Sequence, residues 1–353
     1  VSKQLEAAKT TLDVLTVEAN IASPITMNDP DINSADILIA VTESDEVNIV
    51  ACVLAKKHGI RHTIARIRDM KVTVEAGKYL KENFDIDLVL NPELITANEI
   101  NRILMTPAAL NVEDFAQGKV QLFETRIRRH APIARIPLKD LTLPQGVLAG
   151  LIFRDHRMII PHGDDMFLPG DNAYFIGLQE RIEEFSQSLV PSDTKKLARV
   201  AIIGAGRTGR ALALMLERQG VQVKVIDRSR ERCELLAGMM STGLAICGDA
   251  TDMDLLIQEG IAEADAIVCL TEDKLNLMLA LLARHLSNSS IKSLVRVNRN
   301  EYIDLMEKVG VTIALSARLL SASEVLAFAR GSDVARVTLL EGARAEALEV
   351  IVR

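Results

Sequence analysis

Residues 198–230 read ARVAIIGAGRTGRALALMLERQGVQVKVIDRSR. VAII is a short apolar run, as expected of a strand buried on both faces. It passes directly into Gly204, Ala205, Gly206, Arg207, Thr208 and Gly209, and an amphipathic helical pattern follows. A second apolar run ends at Asp227. In such a strand–turn–helix, Gly204 permits the tight turn and Gly206 lets the backbone approach a pyrophosphate. Gly209 lets the helix pack closely on the strand. The helix N-terminus offers free N–H groups and a favourable dipole to phosphates. Asp227 falls at about the ~20-residue distance at which an acidic residue meets a ribose. Its carboxylate accepts from ribose hydroxyls and repels a 2′-phosphate, which favours NAD(H) or an adenine nucleotide over NADP. Arg228 beside it works in the other direction.

Further along, three strand ends are expected to meet in the same crevice. Gly248, Asp249, Ala250 and Thr251 close the third apolar run, and GDAT reads either as part of the crevice or as a turn with a helix N-cap. Thr271 and Glu272 close the fourth, and Glu272 also suits the first turn of the next helix. Arg296 is a cation inside the apolar run SLVRV. It calls for a ligand phosphate or for a carboxylate partner.

The pattern is repeated. INSADILIAVTE (32–43) parallels IAEADAIVCLTE (261–272), aligning Asp36 with Asp265, Thr42 with Thr271 and Glu43 with Glu272. NIVACVLAKKHG (48–59) parallels NLMLALLARHLS (276–287), and TIARI (63–67) parallels SLVRV (293–297), which aligns Arg66 with Arg296. DLVLNPELITANEI (87–100) parallels TIALSARLLSASEV (312–325), aligning Glu99 with Glu324. Apolar strand runs alternate with helical runs in both copies, so a doubly wound parallel sheet is expected twice. Val1 falls opposite Arg230. The first copy is therefore expected to lack its glycine-loop unit, roughly the first thirty residues of a complete domain.

Between the copies, short strand-like runs are separated by Pro161, Gly163, Pro169 and Gly170, which predicts a small α+β domain of antiparallel strands. RVTLLEGARAEALEVIV (336–352) echoes KVQLFETRIRRHAPIARI (119–136), as if a second small domain begins there. The expected order is a first Rossmann-like domain over 1–108, a small α+β domain over 109–190 and a polar linker at 191–196. A second Rossmann-like domain over 197–332 and the start of a second small domain over 333–353 complete it.

The net charge of −7 argues against a nucleic-acid binder. Arg126, Arg128, Arg129 and His130 form the notable basic run, read as a solvated strand edge or an interface. No apolar run approaches the ~20 residues of a membrane helix, and no secretory signal is visible. Cys52, Cys233, Cys247 and Cys269 have neither zinc nor CxxC spacing, so four small buried hydrophobes are expected, with no metal site.

The fingerprint also occurs in dehydrogenases, and an NAD-dependent dehydrogenase is the alternative reading. Catalytic equipment for it is absent from the sequence. Tyr302 is followed four residues on by Met306, not Lys, and there is no Walker A loop. His58 and His285 sit at helix C-termini, where a dipole role is expected. His156 and His162, beside Asp155, Asp164 and Asp165, lie in turn-rich sequence and read as solvated.

GAGRTG with Asp227, GDAT, the TE…N helix start and the Arg296 strand resemble an RCK (KTN) domain. MIIPHGDDMFLPGDNAYFIG (158–177) resembles the companion C-terminal domain, whose pattern is P-x-G-D followed by a P-G-D turn. Two such pairs in one chain resemble the TrkA family, the peripheral subunits of Trk potassium transporters, over essentially the whole sequence. The resemblance implies a non-catalytic regulatory subunit that binds NAD(H) or ATP/ADP and self-associates into dimers and tetramers. It would sit on the cytoplasmic face of the membrane and gate an integral-membrane potassium-translocating partner; an RCK gate of another channel or antiporter shares the same chemistry. By the same resemblance Gly204, Gly206, Gly209, Asp227, Asp249, Thr271 and Arg296 line the second nucleotide site, with Thr42, Glu43 and Arg66 as the positions kept in the first. The helices around 92–105 and 316–330 are the segments expected to pack between paired domains.

Overall fold

A computed structural model describes residues 2–69, 78–106, 108–155, 157–189, 197–287, 291–330, 334–340 and 345–350. The linker expected at 191–196 and His156 lie outside these. The chain divides into two compact units, Val1–Pro92 and Glu93–Arg353.

In the first unit, β1 (Ile37–Ala40), β2 (His62–Arg66) and β3 (Leu88–Leu90) form a parallel sheet in that order. The helix Asp45–Lys57 crosses between β1 and β2. Ser44 caps it by accepting from the Val47 N–H, acidic residues fill its first turn and Lys56 and Lys57 its last, as the helix dipole favours. Its buried residues Asn48, Ala51, Cys52 and Ala55 fall on one helical face. At its end His58 Nδ1 lies 2.8 Å from the Leu54 carbonyl.

The second unit opens with the helix Pro92–Met105 and a five-stranded antiparallel sheet. Its strands are β4 (Ala109–Phe115), β5 (Val120–Arg126), β6 (Val147–Arg154), β7 (Arg157–Ile159) and β8 (Asn172–Leu178), ordered β4-β5-β8-β6-β7. With the helix Gln179–Ser188 they enclose a core that includes Phe123, Phe167, Phe175 and Phe185. The P-G-D turn has a clear physical role. Gly170 takes a φ of +99°, and the almost fully buried Asp171 accepts from Arg154 Nε at 2.8 Å and Nη2 at 2.7 Å. It also accepts the Leu168 N–H at 2.7 Å, so one carboxylate ties β6 to the turn before β8. Asp164 pairs with Lys139 at 2.7 Å and Asp165 accepts the His162 N–H at 2.7 Å, as solvated turn residues do. Arg126, Arg128, Arg129 and His130 are exposed as expected, but they close and follow β5, an inner strand between β4 and β8 and not a sheet edge.

Next comes the six-stranded parallel sheet: β9 (Arg199–Ile203), β10 (Gln222–Asp227), β11 (Leu244–Cys247), β12 (Ala266–Cys269), β13 (Lys292–Val297) and β14 (Ile313–Ser316). Its order, β11-β10-β9-β12-β13-β14, reverses direction between β9 and β12. A crevice opens at such a switch point, above the carboxyl ends of the strands. The three strands of the first unit reproduce the order of β12, β13 and β14.

The helix Ala317–Ala329 then leads to the hairpin β15 (Val334–Leu340) and β16 (Ala345–Val350). Here the sequence echo needs correcting. β15–β16 repeats the hairpin β4–β5, not the stretch from 119 onward. Ala109 pairs with Thr125 and Val334 with Val350, Phe115 with Val120 and Leu340 with Ala345, and both hairpins shift register two residues after their start. Leu340 packs with Phe115, Leu122 and Tyr174 on one face of the five-stranded sheet.

Candidate functional site

The crevice at the β9/β12 switch point has a volume of about 460 Å³, within the range of small-molecule sites. The glycine turn forms its floor. Gly204 has a φ of +112°, a left-handed conformation that favours glycine. At Gly209 an added Cβ would run into the Gly204 carbonyl oxygen, so helix and turn touch backbone to backbone. At Gly206 an added Cβ would meet nothing within 4 Å, which leaves the turn open towards the crevice. The helix Arg207–Arg218 begins directly behind it, with Gly206 as N-cap and no side chain capping it. Its first N–H groups therefore remain available.

Asp227 ends β10 with its side chain almost buried. Oδ2 accepts the Ala205 N–H at 2.7 Å and Oδ1 accepts the Ser229 N–H at 2.8 Å. The carboxylate thus fixes the glycine turn as well as facing the crevice. Arg228 and Asp249, both exposed, pair at 2.8 Å across the ends of β10 and β11. Asp249 also accepts the Thr251 N–H at 2.9 Å and its hydroxyl at 2.8 Å. Those bonds from Thr251, then the pair with Arg228, hold its pKa down at about 2. GDAT is therefore a turn closed by Asp249 that lines the crevice, while the N-cap of the following helix is Asp252.

On the far wall, Thr271 and Glu272 follow β12. Glu272 is the N-cap of the helix Asp273–Leu286 but makes no side-chain cap bond. Asn276 holds this wall together. Its Oδ1 accepts the Thr271 N–H at 2.8 Å and hydroxyl at 2.6 Å, and its Nδ2 donates to the Arg296 carbonyl at 2.8 Å. Arg296 Nη2 donates to the Thr271 carbonyl at 3.2 Å, while its Nε is buried without a partner. Burial lowers the Arg296 pKa, with Asp273 and Glu93 opposing. Among the described residues it makes no carboxylate ion pair, and its side chain lines the crevice.

The first unit repeats this network. Thr42 N–H and hydroxyl donate to Asn48 Oδ1 at 2.8 and 2.7 Å, and Asn48 Nδ2 donates to the Arg66 carbonyl at 2.8 Å. Arg66 Nη2 donates to the Thr42 carbonyl at 2.6 Å, and its Nε is again buried without a partner. Glu43 accepts at its carbonyl from Arg68.

Of the residues marked in the sequence, Gly204, Gly206, Asp227, Arg228, Asp249, Ala250, Thr271, Glu272 and Arg296 line the crevice together. Ala205, Thr208 and Gly209 do not. Ala205 and Thr208 are buried beneath the turn and Gly209 is pressed against Gly204, so they shape the loop from behind. Arg207 is exposed at the helix start. Two basic residues were passed over. Arg232 lines the crevice, 3.6 Å from Asp227. Arg210 is half-buried, and its pKa is lowered by burial and by the nearby charges of Arg207 and Arg232. Repelling guanidiniums beside a free helix N-terminus are arranged for an anion. The run GRTGR, with Arg207 and Arg210 one helical turn apart, carried that signal. One cysteine expectation also fails: Cys52, Cys233 and Cys269 are buried but Cys247 is exposed, because β11 lies at the edge of its sheet.

The doubly wound sheet, the glycine turn at its switch point and the acidic end of β10 define a nucleotide-type Rossmann domain, present here as one fuller and one partial copy. The chain matches the TrkA-N domain family over residues 2–92 and 200–317, and the TrkA-C domain family over 122–190. It belongs to the TrkA family. The Trk system potassium uptake protein trkA homolog 1 of Methanosarcina mazei is 34% identical over 360 residues, covering 99% of this chain and 87% of that protein. The Trk system potassium uptake protein TrkA of Halomonas elongata is 31% identical over 355 residues, covering 99% and 77%. The GsuK RCK domain shares the fold, with a TM-score of 0.68 at 19% identity over 92% of this chain and 68% of that one. The GsuK channel bound to NAD is similar over 92% of this chain and 57% of its own, with a TM-score of 0.68 at 20% identity.

Proposed function

We propose that this chain is a nucleotide-sensing regulatory subunit of potassium transport, and that its sensor is the crevice between β9 and β12. The observation that carries this reading is the glycine turn opening on a free helix N-terminus beside Arg207, Arg210 and Arg232. That arrangement receives a diphosphate. Asp227 stands where a ribose diol would meet a carboxylate, and Thr271, Glu272 and Arg296 would face the rest of the ligand. NAD(H) and ATP or ADP both fit this donor set. In keeping with it, related folds include a GsuK channel bound to NAD and a GsuK bound to ADP. Bound nucleotide would neutralise the guanidinium cluster and draw the two walls of the crevice together. Such a ligand-dependent closure shifts the population of the subunit's conformations.

No helix among the described residues is long and apolar enough to cross a membrane. On this reading the subunit acts by docking on an integral-membrane potassium-translocating partner, at the cytoplasmic face and as a self-associated assembly. Its relatives are named as Trk potassium uptake proteins, which supports regulation rather than catalysis as its task.

Calorimetric titration with NADH, NAD, ATP and ADP tests the reading, alongside Asp227→Ala and with thermal unfolding of both chains as a control for folding. Binding of at least one of them is expected, without turnover, and at least tenfold weaker in a folded Asp227→Ala variant. Absence of binding by all four would overturn it.

A further inference from the structure

Two cysteines 14 positions apart in the sequence meet beside the crevice. Cys247 ends β11 and Cys233 lies in the helix Arg230–Ala237 that covers β10 and β11. The Cys233 thiol sits 3.4 Å from the carbonyls of both Asp227 and Ile246, and the Cys247 thiol sits 3.8 Å from the carbonyl of Arg228. The two thiols converge on the same turn, one on the carbonyl of Asp227 and the other on that of Arg228. One is buried and the other exposed.

We propose that Cys233 and Cys247 form a reversible disulfide, made by exchange with a small-molecule disulfide, that weakens ligand binding in the adjacent crevice. Cys247, the exposed member, attacks as thiolate and becomes a mixed disulfide, releasing one small thiol. Cys233 gives up its proton and attacks the Cys247 sulfur, releasing the second small thiol. Two electrons pass from the pair to the small disulfide, and the two protein protons end on the two released thiols. Burial, followed by the neighbouring Cys247, raises the Cys233 pKa, which leaves Cys247 as the first nucleophile and Cys233 as the resolving thiol that attacks second. Cys52 and Cys269 are excluded from this chemistry, because burial pushes both to about 12.

The link to the crevice is short. β11 is an edge strand, so its end is restrained from one side only. Closing the sulfurs to the ~2 Å of a disulfide draws Cys247 towards the helix. Asp249 lies two residues beyond Cys247 and pairs at 2.8 Å with Arg228, whose carbonyl the Cys247 thiol touches. Asp249 is therefore carried with it, and its pair with Arg228 at the crevice rim breaks. The effect on binding rests on the nucleotide reading above; disulfide formation does not.

The test is to incubate the full chain with oxidised or reduced glutathione, map disulfide-linked peptides by mass spectrometry, and titrate both forms with NADH and ADP. Oxidation is expected to link Cys233 to Cys247, with the mass falling by two hydrogens. Cys233→Ser is expected to trap glutathione on Cys247, and the oxidised chain to bind the nucleotide that the reduced chain takes at least tenfold more weakly. If both thiols survive, or if the unsubstituted chain accumulates the same glutathione adduct as Cys233→Ser, the disulfide is overturned. Equal affinity in both forms overturns its coupling to the crevice. A reduced chain that binds no nucleotide counts against the nucleotide reading alone, since the peptide map still decides the disulfide.

Discussion

At the scale of single residues, the crevice depends on glycines in three different ways. Gly204 is needed for its backbone conformation, Gly206 for open space and Gly209 for contact. Gly209 gives the sharpest expectation. A methyl group there has to displace the Gly204 carbonyl, and overpacking of this kind costs about 1–3 kcal/mol. Gly209→Ala is therefore expected to lower the midpoint of thermal unfolding and to weaken nucleotide binding together, because the turn itself is moved. Gly206→Ala meets no protein atom, so its stability should stay within about 1 kcal/mol of the unsubstituted chain. Its nucleotide affinity should fall sharply, since the methyl group occupies the approach to the phosphates. Denaturant unfolding and calorimetry on both variants separate the two effects. A normal affinity in Gly206→Ala would count against phosphate binding at this turn.

At the scale of elements, the pairing of helix and turn is visible in an acidic side chain far from the crevice. Glu217, near the end of the helix Arg207–Arg218, gathers the backbone N–H groups of Thr242, Ser241 and Gly243. Those three bonds hold its carboxyl at about 2, against an ordinary value of 4.5. Because the folded-state pKa is depressed, the contribution is fully present above about pH 4.5. It is lost as the pH falls towards 2. Protection from amide exchange at residues 241–243, relative to the intrinsic rate at each pH, is expected to fall selectively over that window, and Glu217→Gln should show low protection there already at neutral pH. Identical exchange profiles in the two chains would refute this role.

Elements were also where sequence reasoning had its clearest successes and misses. The strand VAII, the glycine turn and the run ending at Asp227 were legible because buried parallel strands and phosphate-type turns have local signatures. Arg66 and Arg296 stood out as cations inside apolar strands, and the structure gives each the same kind of network, Arg66 with Asn48 and Arg296 with Asn276. The echo of the small domain was misplaced because two adjacent antiparallel strands look alike in composition. Only the pairing, with its common register shift after Ala109 and Val334, identifies which strand is which. Arg232 and the exposure of Cys247 were not legible, since both depend on which strand forms the sheet edge. That order is a property of the assembled sheet.

At the scale of the whole molecule, the duplication raises a question of function that the network around Arg66 makes concrete. The first unit reproduces around Asn48 the 2.8 Å bonds that Asn276 makes, while Arg66 donates to the Thr42 carbonyl at 2.6 Å where Arg296 donates to that of Thr271 at 3.2 Å. Among its described residues, however, no glycine turn faces that arrangement. A diphosphate is held chiefly by the turn and the helix N-terminus, and Arg66 alone supplies one cation. Ligand free energy should therefore enter through the second unit. At a concentration of 100 times Kd, one-site binding adds about 2.7 kcal/mol to the stability of whatever binds. Amide exchange with saturating nucleotide is expected to slow across residues 200–298, most strongly at Gly204–Gly209 and Asp249–Thr251, and to leave residues 37–66 unchanged. Equal protection at Thr42–Asn48 would instead show that the partial copy is a second nucleotide site, with Arg66 serving it as Arg296 serves the first.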